Sequence, residues 1–346
     1  MRQGEINLRE KIYSSLFYVV FLKKIGIKLL NSPRFVNNSL YQYLQEIYIN
    51  KVIKKYYSSP NLVVIENTSF CNSSCSMCPH SVMRRKQGTM KTDLFRKIID
   101  QCNKFGVKQV GLHNFGEPLM DKDFIEKVRY ATQKKNFCVG TSTNAALMGS
   151  EIAKEIILSG LDTINFSIDA FTKSSYEKIR VGLPFEEVIK NVENFIDIRK
   201  QLSRKKPEII VDFIETELNK GEKELFINKW KGQVDKVNIT TLHAWGGSYE
   251  GKAGKGKFHS KLLKIKREPC RFLWTDMVIN WDGRVSACCQ DYEAKMVIGD
   301  INKNTLQEIW QGKIINDLRK KHLAGKFCEI PLCSRCNYRS VWWLFK

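Results

Sequence analysis

The sequence predicts an α/β fold, a partly open barrel of six βα units followed by a small cysteine-rich C-terminal module. Three observations predict it. From residue 61, extended apolar segments alternate with amphipathic ones at intervals of roughly 25 to 40 residues, the pattern of repeated βα units. In 163–169, Ile164, Phe166 and Ile168 share one strand face while Asn165, Ser167 and Asp169 share the other. After Trp245 the alternation stops and cysteines return at 270, 288, 289, 328, 333 and 336.

Strands are expected near 62–68, 107–115, 137–143, 163–169, 209–216 and 236–242. Between them, 92–104, 121–134, 150–158 and 186–202 place apolar residues three or four apart, as helices covering a parallel sheet do. Pro184 before the last helix and Gly160 after the third are start and stop signals. The two-faced strand at 163–169 needs helices on one side and something polar on the other. A βα barrel holding a ligand near its C-terminal strand ends meets that need.

The domain division is a basic helical segment at 1–60, the barrel at 61–245, a basic linker at 246–269 and the cysteine-rich module at 270–346. Of 346 residues, 43% are apolar and 27% charged, enough for one large core with a small appendage. The formal charge is +21. Residues 1–60 carry ten Lys or Arg against three acids, and 251–267 carry seven basic residues and no acid. Such a balance favours anionic partners without choosing among membrane, nucleic acid and phosphorylated small molecules. The apolar run 16–22 stops at Lys23 and Lys24, well short of the roughly 20 residues a membrane span needs. A peripheral contact of residues 1–60 with an anionic membrane stays open beside plain packing on the barrel. With no leader segment ahead of the cysteines, and metal-ligand spacings among them, a reducing cytoplasm is expected rather than a disulfide framework.

The first strand runs into Cys71-Asn72-Ser73-Ser74-Cys75-Ser76-Met77-Cys78, a C-x3-C-x2-C triplet at its C-terminal end. A four-iron, four-sulfur cluster normally takes four cysteines, so a triplet leaves one iron with an open position. Structural zinc would want a fourth ligand, for which His80 is the nearby candidate.

This loop resembles that of the radical S-adenosylmethionine (SAM) superfamily, and with it the fold class becomes a partial (β/α)6 radical SAM barrel. The resemblance implies that Cys71, Cys75 and Cys78 hold a 4Fe-4S cluster that binds and reductively cleaves SAM. Met77 stands where the family usually carries an aromatic residue beside the adenine, and its polarisable thioether suits a ring face. Gly116-Glu117-Pro118 resembles the family's Gly-Glu motif, whose backbone and carboxylate bind the methionine ammonium group. The ends of strands three and four, 141–144 and 167–169, fall where relatives contact the ribose, with Ser142 and Asp169 preferred. Arg180 falls where relatives often carry a basic residue for the SAM carboxylate; a solvated helix position is the alternative.

Cys270, twelve residues, Gly283, four residues and Cys288, followed by Cys333-Ser334-Arg335-Cys336, resemble the SPASM/twitch module of such enzymes. That implies a second, auxiliary 4Fe-4S cluster on Cys270, Cys288, Cys333 and Cys336, with Gly283 in a hairpin turn. Cys289 and Cys328 are left over, either able to replace a nominated ligand. Cys102 and Cys138 read as buried, inert thiols. A fully ligated cluster has no open iron, so it suits electron transfer and a net two-electron oxidation. The spacing resembles the radical SAM dehydrogenase of an aminocyclitol hydroxyl, implying a sugar- or cyclitol-like small molecule as substrate. A peptide or protein, as for radical SAM maturases, is the alternative, and a zinc protein gripping nucleic acid is the reading from another class. The resemblance also implies an external one-electron donor such as flavodoxin or ferredoxin. His113, Asp212, Glu215 and His243 lie near strand ends where a catalytic base would sit, and no motif picks among them.

Overall fold

The computed structural model describes residues 38–242, 245–247 and 267–336. The apolar run 16–22, most of the basic linker and His243 lie outside the described residues.

Helix α1 (Ser39–Tyr56) leads into β1 (Leu62–Ile65), four apolar residues that are buried almost throughout. Then α2 (Thr92–Phe105), β2 (Gln109–Gly111), α3 (Phe124–Thr132), β3 (Cys138–Thr143), α4 (Ser150–Leu158) and β4 (Thr163–Ser167) alternate as expected. Further along come α5 (Lys173–Ile179), α6 (Phe185–Gln201), β5 (Glu208–Glu215), α7 (Lys223–Trp230) and β6 (Lys236–Thr241). Strands β1 to β6 pair in sequence order, every neighbour parallel. In β4, Ile164 and Phe166 are fully buried beneath the helices while Asn165 and Ser167 are half-buried on the inner face.

The C-terminal region contributes α8 (Phe272–Thr275), β7 (Asp276–Ile279), β8 (Arg284–Ser286), β9 (Val297–Asp300), α9 (Leu306–Trp310), α10 (Lys313–Leu323) and α11 (Pro331–Ser334). Strand β7 pairs parallel with β1 along Leu62–Ile65, and β8 and β9 follow antiparallel. The result is one nine-stranded sheet, and a single hydrophobic core runs from Val63 to Trp310 and Ile315. The β7–β8 hairpin turns at Gly283, whose φ of +91° suits a residue without a Cβ.

Two differences from the expected elements have simple causes. The helices α5 and α7 are seven and eight residues long, too short for a period to stand out. Cys138 is exposed rather than buried, because it opens β3 at the rim where the alternation has just begun. Cys102 is fully buried in α2, as expected. Among the described residues, no helix is long and apolar enough to cross a membrane.

Candidate active site

The three cysteines of the first triplet sit on the loop leaving β1, and backbone hydrogen bonds pin that loop to the end of α5. Ser74 N–H donates to Val181 O at 2.9 Å and Ser76 N–H to Ile179 O at 2.8 Å. The Ser73 hydroxyl lies between two thiols, 3.3 Å from Cys71 Sγ and 3.4 Å from Cys75 Sγ. Burial raises the Cys71 thiol and pushes Cys78 up to about 12. A bound cation is what favours the thiolate in such a place.

One cavity joins Cys71, Cys75 and Cys78 to Gly116 and Glu117 after β2, Ser142 near the end of β3 and Arg180 at the end of α5. Gly116 is obligatory there, since a Cβ would stand 2.1 Å from Thr68 O. Its neighbour Glu117 is buried, and burial raises its pKa. Three donors hold its carboxylate in place: Thr143 Oγ1 at 2.6 Å, Asn144 N–H at 2.8 Å and Leu119 N–H at 3.2 Å. Asn144 Nδ2 donates in turn to Asn72 Oδ1 of the cysteine loop at 2.7 Å.

Arg180 is not on a solvated helix face. It caps α5, pairs with the buried Asp169 and approaches Cys75 Sγ at 3.6 Å. Burial opposes its charge, but Asp169 and Cys75 outweigh that and raise its pKa. Asp169 has a φ of +64°, which turns its carboxylate away from the alternation of β4 and towards Arg180 and Ile214 N–H at 2.7 Å. The polar wall beside the cavity is therefore Ser167 and not Asp169. Met77 likewise leaves the wall: it is 4% exposed, packed on Ile179, and its carbonyl accepts Trp245 Nε1–H at 2.8 Å.

Several buried donors and acceptors around this cavity have no partner within the protein, namely His113 Nδ1, Asn114 Nδ2 and Arg180 Nε. Unsatisfied buried polar atoms are rare in native folds, and three beside one thiol-lined cavity fit a polar, charged ligand. Among the four base candidates, His113 lines the cavity. Burial lowers its pKa to about 4, so its ring is neutral near neutral pH. Asp212 accepts Asn238 Nδ2 at 2.7 Å, and Glu215 is exposed at the end of β5. His80, the candidate fourth zinc ligand, instead places Nε2 on Ser69 O at 2.9 Å. Among the described residues, no three His, Cys, Asp or Glu side chains are arranged for a single metal ion.

The fold gathers Cys270, Cys288, Cys333 and Cys336 around a second cavity, whose other walls include Phe272, Leu273, Ala287, Met296 and Leu332. Cys289 and Cys328 do not line it, and Cys328 is exposed. Burial holds the Cys270 thiol well above its usual range; a hydrogen bond to Cys289 and burial do the same for Cys288. Four thiols and a largely apolar wall suit a fully ligated cluster.

Two buried ion pairs escaped the motif reading. Arg85 pairs with Glu66 just past β1, while its Nε donates to Tyr292 O at 2.7 Å and Trp281 N–H reaches Glu66 at 3.3 Å. This joint ties the loop after Cys78 to the C-terminal module. Lys127 pairs with Asp121 at 2.6 Å and donates to Met90 O, fixing the chain that follows Glu117. The available signal was a charged residue next to a wholly apolar strand, at Glu66. Beside the second cysteine site, sharing Gly246, Gln290, Met296 and Leu332 with it, lies a cleft of about 650 Å³ also lined by Tyr292 and Arg335. Phe115 connects the two regions, its ring centroid 5.6 Å from Trp245 and 6.3 Å from Tyr292.

Comparison with known proteins gives a consistent assignment. Residues 65–203 match the radical SAM superfamily, and residues 270–337 match the SPASM iron-sulfur cluster-binding domain. Over 318 residues the chain is 32% identical to the tungsten-containing aldehyde ferredoxin oxidoreductase cofactor-modifying protein of Pyrococcus furiosus, covering 80% of this chain and 87% of that one. Among solved structures it is similar to Streptococcus suis SuiB bound to precursor peptide SuiA, with a TM-score of 0.64, 15% identity, and 82% and 72% of the two chains covered. It is also similar to BtrN in complex with AdoMet and 2-DOIA, with a TM-score of 0.56, 19% identity, and 81% and 93% covered.

Proposed function

Starting from its membership of the radical SAM superfamily, as an enzyme with a SPASM auxiliary-cluster domain, we propose that this chain oxidises a sugar- or cyclitol-like alcohol by two electrons. The observation that carries this reading is the set of four cysteines around a mostly apolar cavity. Such a site leaves no iron free for substrate and suits an electron acceptor.

When bound, the two clusters and SAM supply one-electron reductive cleavage to a 5'-deoxyadenosyl radical, hydrogen abstraction, and an acceptor for the electron left on substrate. The protein's own part is positioning. Cys71, Cys75 and Cys78 would hold the first cluster, three thiols where four would complete it. Gly116 lets the backbone approach closely, and the Glu117 carboxylate, fixed by three donors, takes the ammonium group of methionine. Arg180 lays a permanent positive charge along the same wall for the SAM carboxylate, with Asp169 aiming it. Ser142 and Ser167 supply hydroxyls, and Met77 steadies the loop from behind. His113, lining the cavity with Nδ1 unpartnered, is placed to receive the proton that an oxidised alcohol must lose. An acidic external donor such as flavodoxin or ferredoxin would deliver the first electron.

Support for a small substrate comes from the likeness to BtrN, whose complex holds 2-DOIA. The likeness to SuiB, whose complex holds a precursor peptide, favours a peptide in the 650 Å³ cleft as the second reading. One experiment separates them. Anaerobically reconstituted protein should bind about eight irons. With SAM and dithionite, alcohols such as cyclitols should increase 5'-deoxyadenosine and yield a product two hydrogens lighter. A peptide-dependent product in place of the alcohol-dependent one would install the second reading. Bound zinc with no 5'-deoxyadenosine would remove both.

A further inference from the structure

His322 lies on α10, 1% exposed, outside every cysteine motif and 52 residues from Cys270. Its Nδ1 accepts the backbone N–H of Cys270 at 3.1 Å. A backbone nitrogen can only donate, so Nδ1 carries the lone pair and the ring is neutral with its proton on Nε2. That Nε2–H is buried and has no partner in the protein. The same ring lines the cavity of Cys270, Cys288, Cys333 and Cys336. Phe327 packs edge-on against it at 5.0 Å between centroids, and the Arg267 guanidinium covers Phe327 while donating to Cys333 O. The ring is thus held by the Cys270 N–H and by Phe327, with one oriented donor left over. A buried N–H without an acceptor is strongly disfavoured, so the cavity's occupant is expected to supply the acceptor.

We propose that His322 is a positioning and tuning residue of the auxiliary cluster, donating Nε2–H to a cluster or cysteinyl sulfur while Nδ1 fixes the Cys270 backbone. The inference rests on the reading of the four cysteines as cluster ligands. A hydrogen bond to sulfur stabilises the reduced, more negative cluster and raises its potential, which makes it a better acceptor for the substrate's electron.

Two substitutions divide the roles of the two ring nitrogens. In His322→Asn the side-chain oxygen can still accept from Cys270 N–H, but the donor at the Nε2 position is gone. In His322→Gln the amide nitrogen reaches the Nε2 position and the Nδ1 acceptor is gone. The readout is the midpoint potential of the auxiliary cluster in reconstituted full-length protein, followed through the reduced-state EPR signal that SAM addition leaves unchanged. The proposal expects a lower midpoint in His322→Asn and a midpoint nearer wild type in His322→Gln. Equal midpoints in wild type and His322→Asn, both carrying about eight irons, overturn the tuning role while leaving the two-cluster reading intact. About four irons in wild type would instead remove the second cluster itself.

Should either variant fail to fold, wild-type holoprotein labelled with 15N-histidine decides the matter. A weak 15N coupling and an exchangeable proton at the reduced auxiliary cluster are expected. Absence of both overturns the proposal, and a strong coupling overturns it by making His322 a ligand.

Discussion

The two cysteine sites are built on opposite plans. The first draws its three thiols from eight consecutive residues on one loop and surrounds them with Ser73, His113, Asn114, Glu117, Ser142 and Arg180. The second collects four thiols from residues 270 to 336 and walls them mainly with Phe272, Leu273, Ala287, Met296 and Leu332. A site with one ligand too few and polar walls is made to receive a charged molecule. A site with its full set and apolar walls leaves no open position for one, which is what the proposed electron-transfer role requires. The difference teaches that ligand number and wall chemistry vary together here, so each predicts the other.

Breaking the comparison starts with its strongest element. Replacing Cys71, Cys75 and Cys78 together by Ala should abolish 5'-deoxyadenosine formation and halve the iron from about eight to about four, measured by colorimetric iron assay and chromatography. Loss of all the iron would mean the second site cannot assemble alone. Replacing Cys333 and Cys336 by Ala should also leave about four irons, but here some SAM cleavage should persist while the oxidised product disappears. A variant that still oxidised substrate would deny the second site its electron-transfer role.

Smaller effects sharpen the contrast. Glu66→Gln leaves Arg85 with an uncompensated buried charge where the two halves join, and should cost about 3–5 kcal/mol in chemical denaturation. Gly116→Ala forces a Cβ against Thr68 O and should weaken SAM binding about tenfold, by equilibrium dialysis, with an overpacking cost of about 1–3 kcal/mol. Cys328→Ser, at an exposed position off the second cavity, should leave the iron content unchanged and stability within about 0.5 kcal/mol.

The six strands of the barrel and the long helices were legible because burial imposes periods on a sequence, and the periods at 92–104 and 150–158 are clean. The cysteine triplet was legible because its ligands are local. Arg180 was read as exposed as readily as buried, since its burial depends on Asp169 eleven residues back adopting a positive φ. Met77 and Asp169 point elsewhere than the cavity for the same reason: loop geometry after a strand does not follow its alternation. The pairing of β7 with β1 joins residues more than 200 positions apart, and no local pattern records it. His322 was invisible because nothing but the fold brings it beside Cys270.

That same pairing has a consequence for the life of the unfinished chain. Strand β1 is Leu-Val-Val-Ile, and until β7 is made its outer row of backbone N–H and C=O groups has no ladder to join. An apolar, unpaired strand edge is a template for self-association. Synthesis reaches β7 only after the whole barrel has emerged, so the barrel must wait with that edge uncovered. The C-terminal module therefore covers the barrel's edge as well as gathering the second set of thiols, and a chain ending before residue 276 should aggregate.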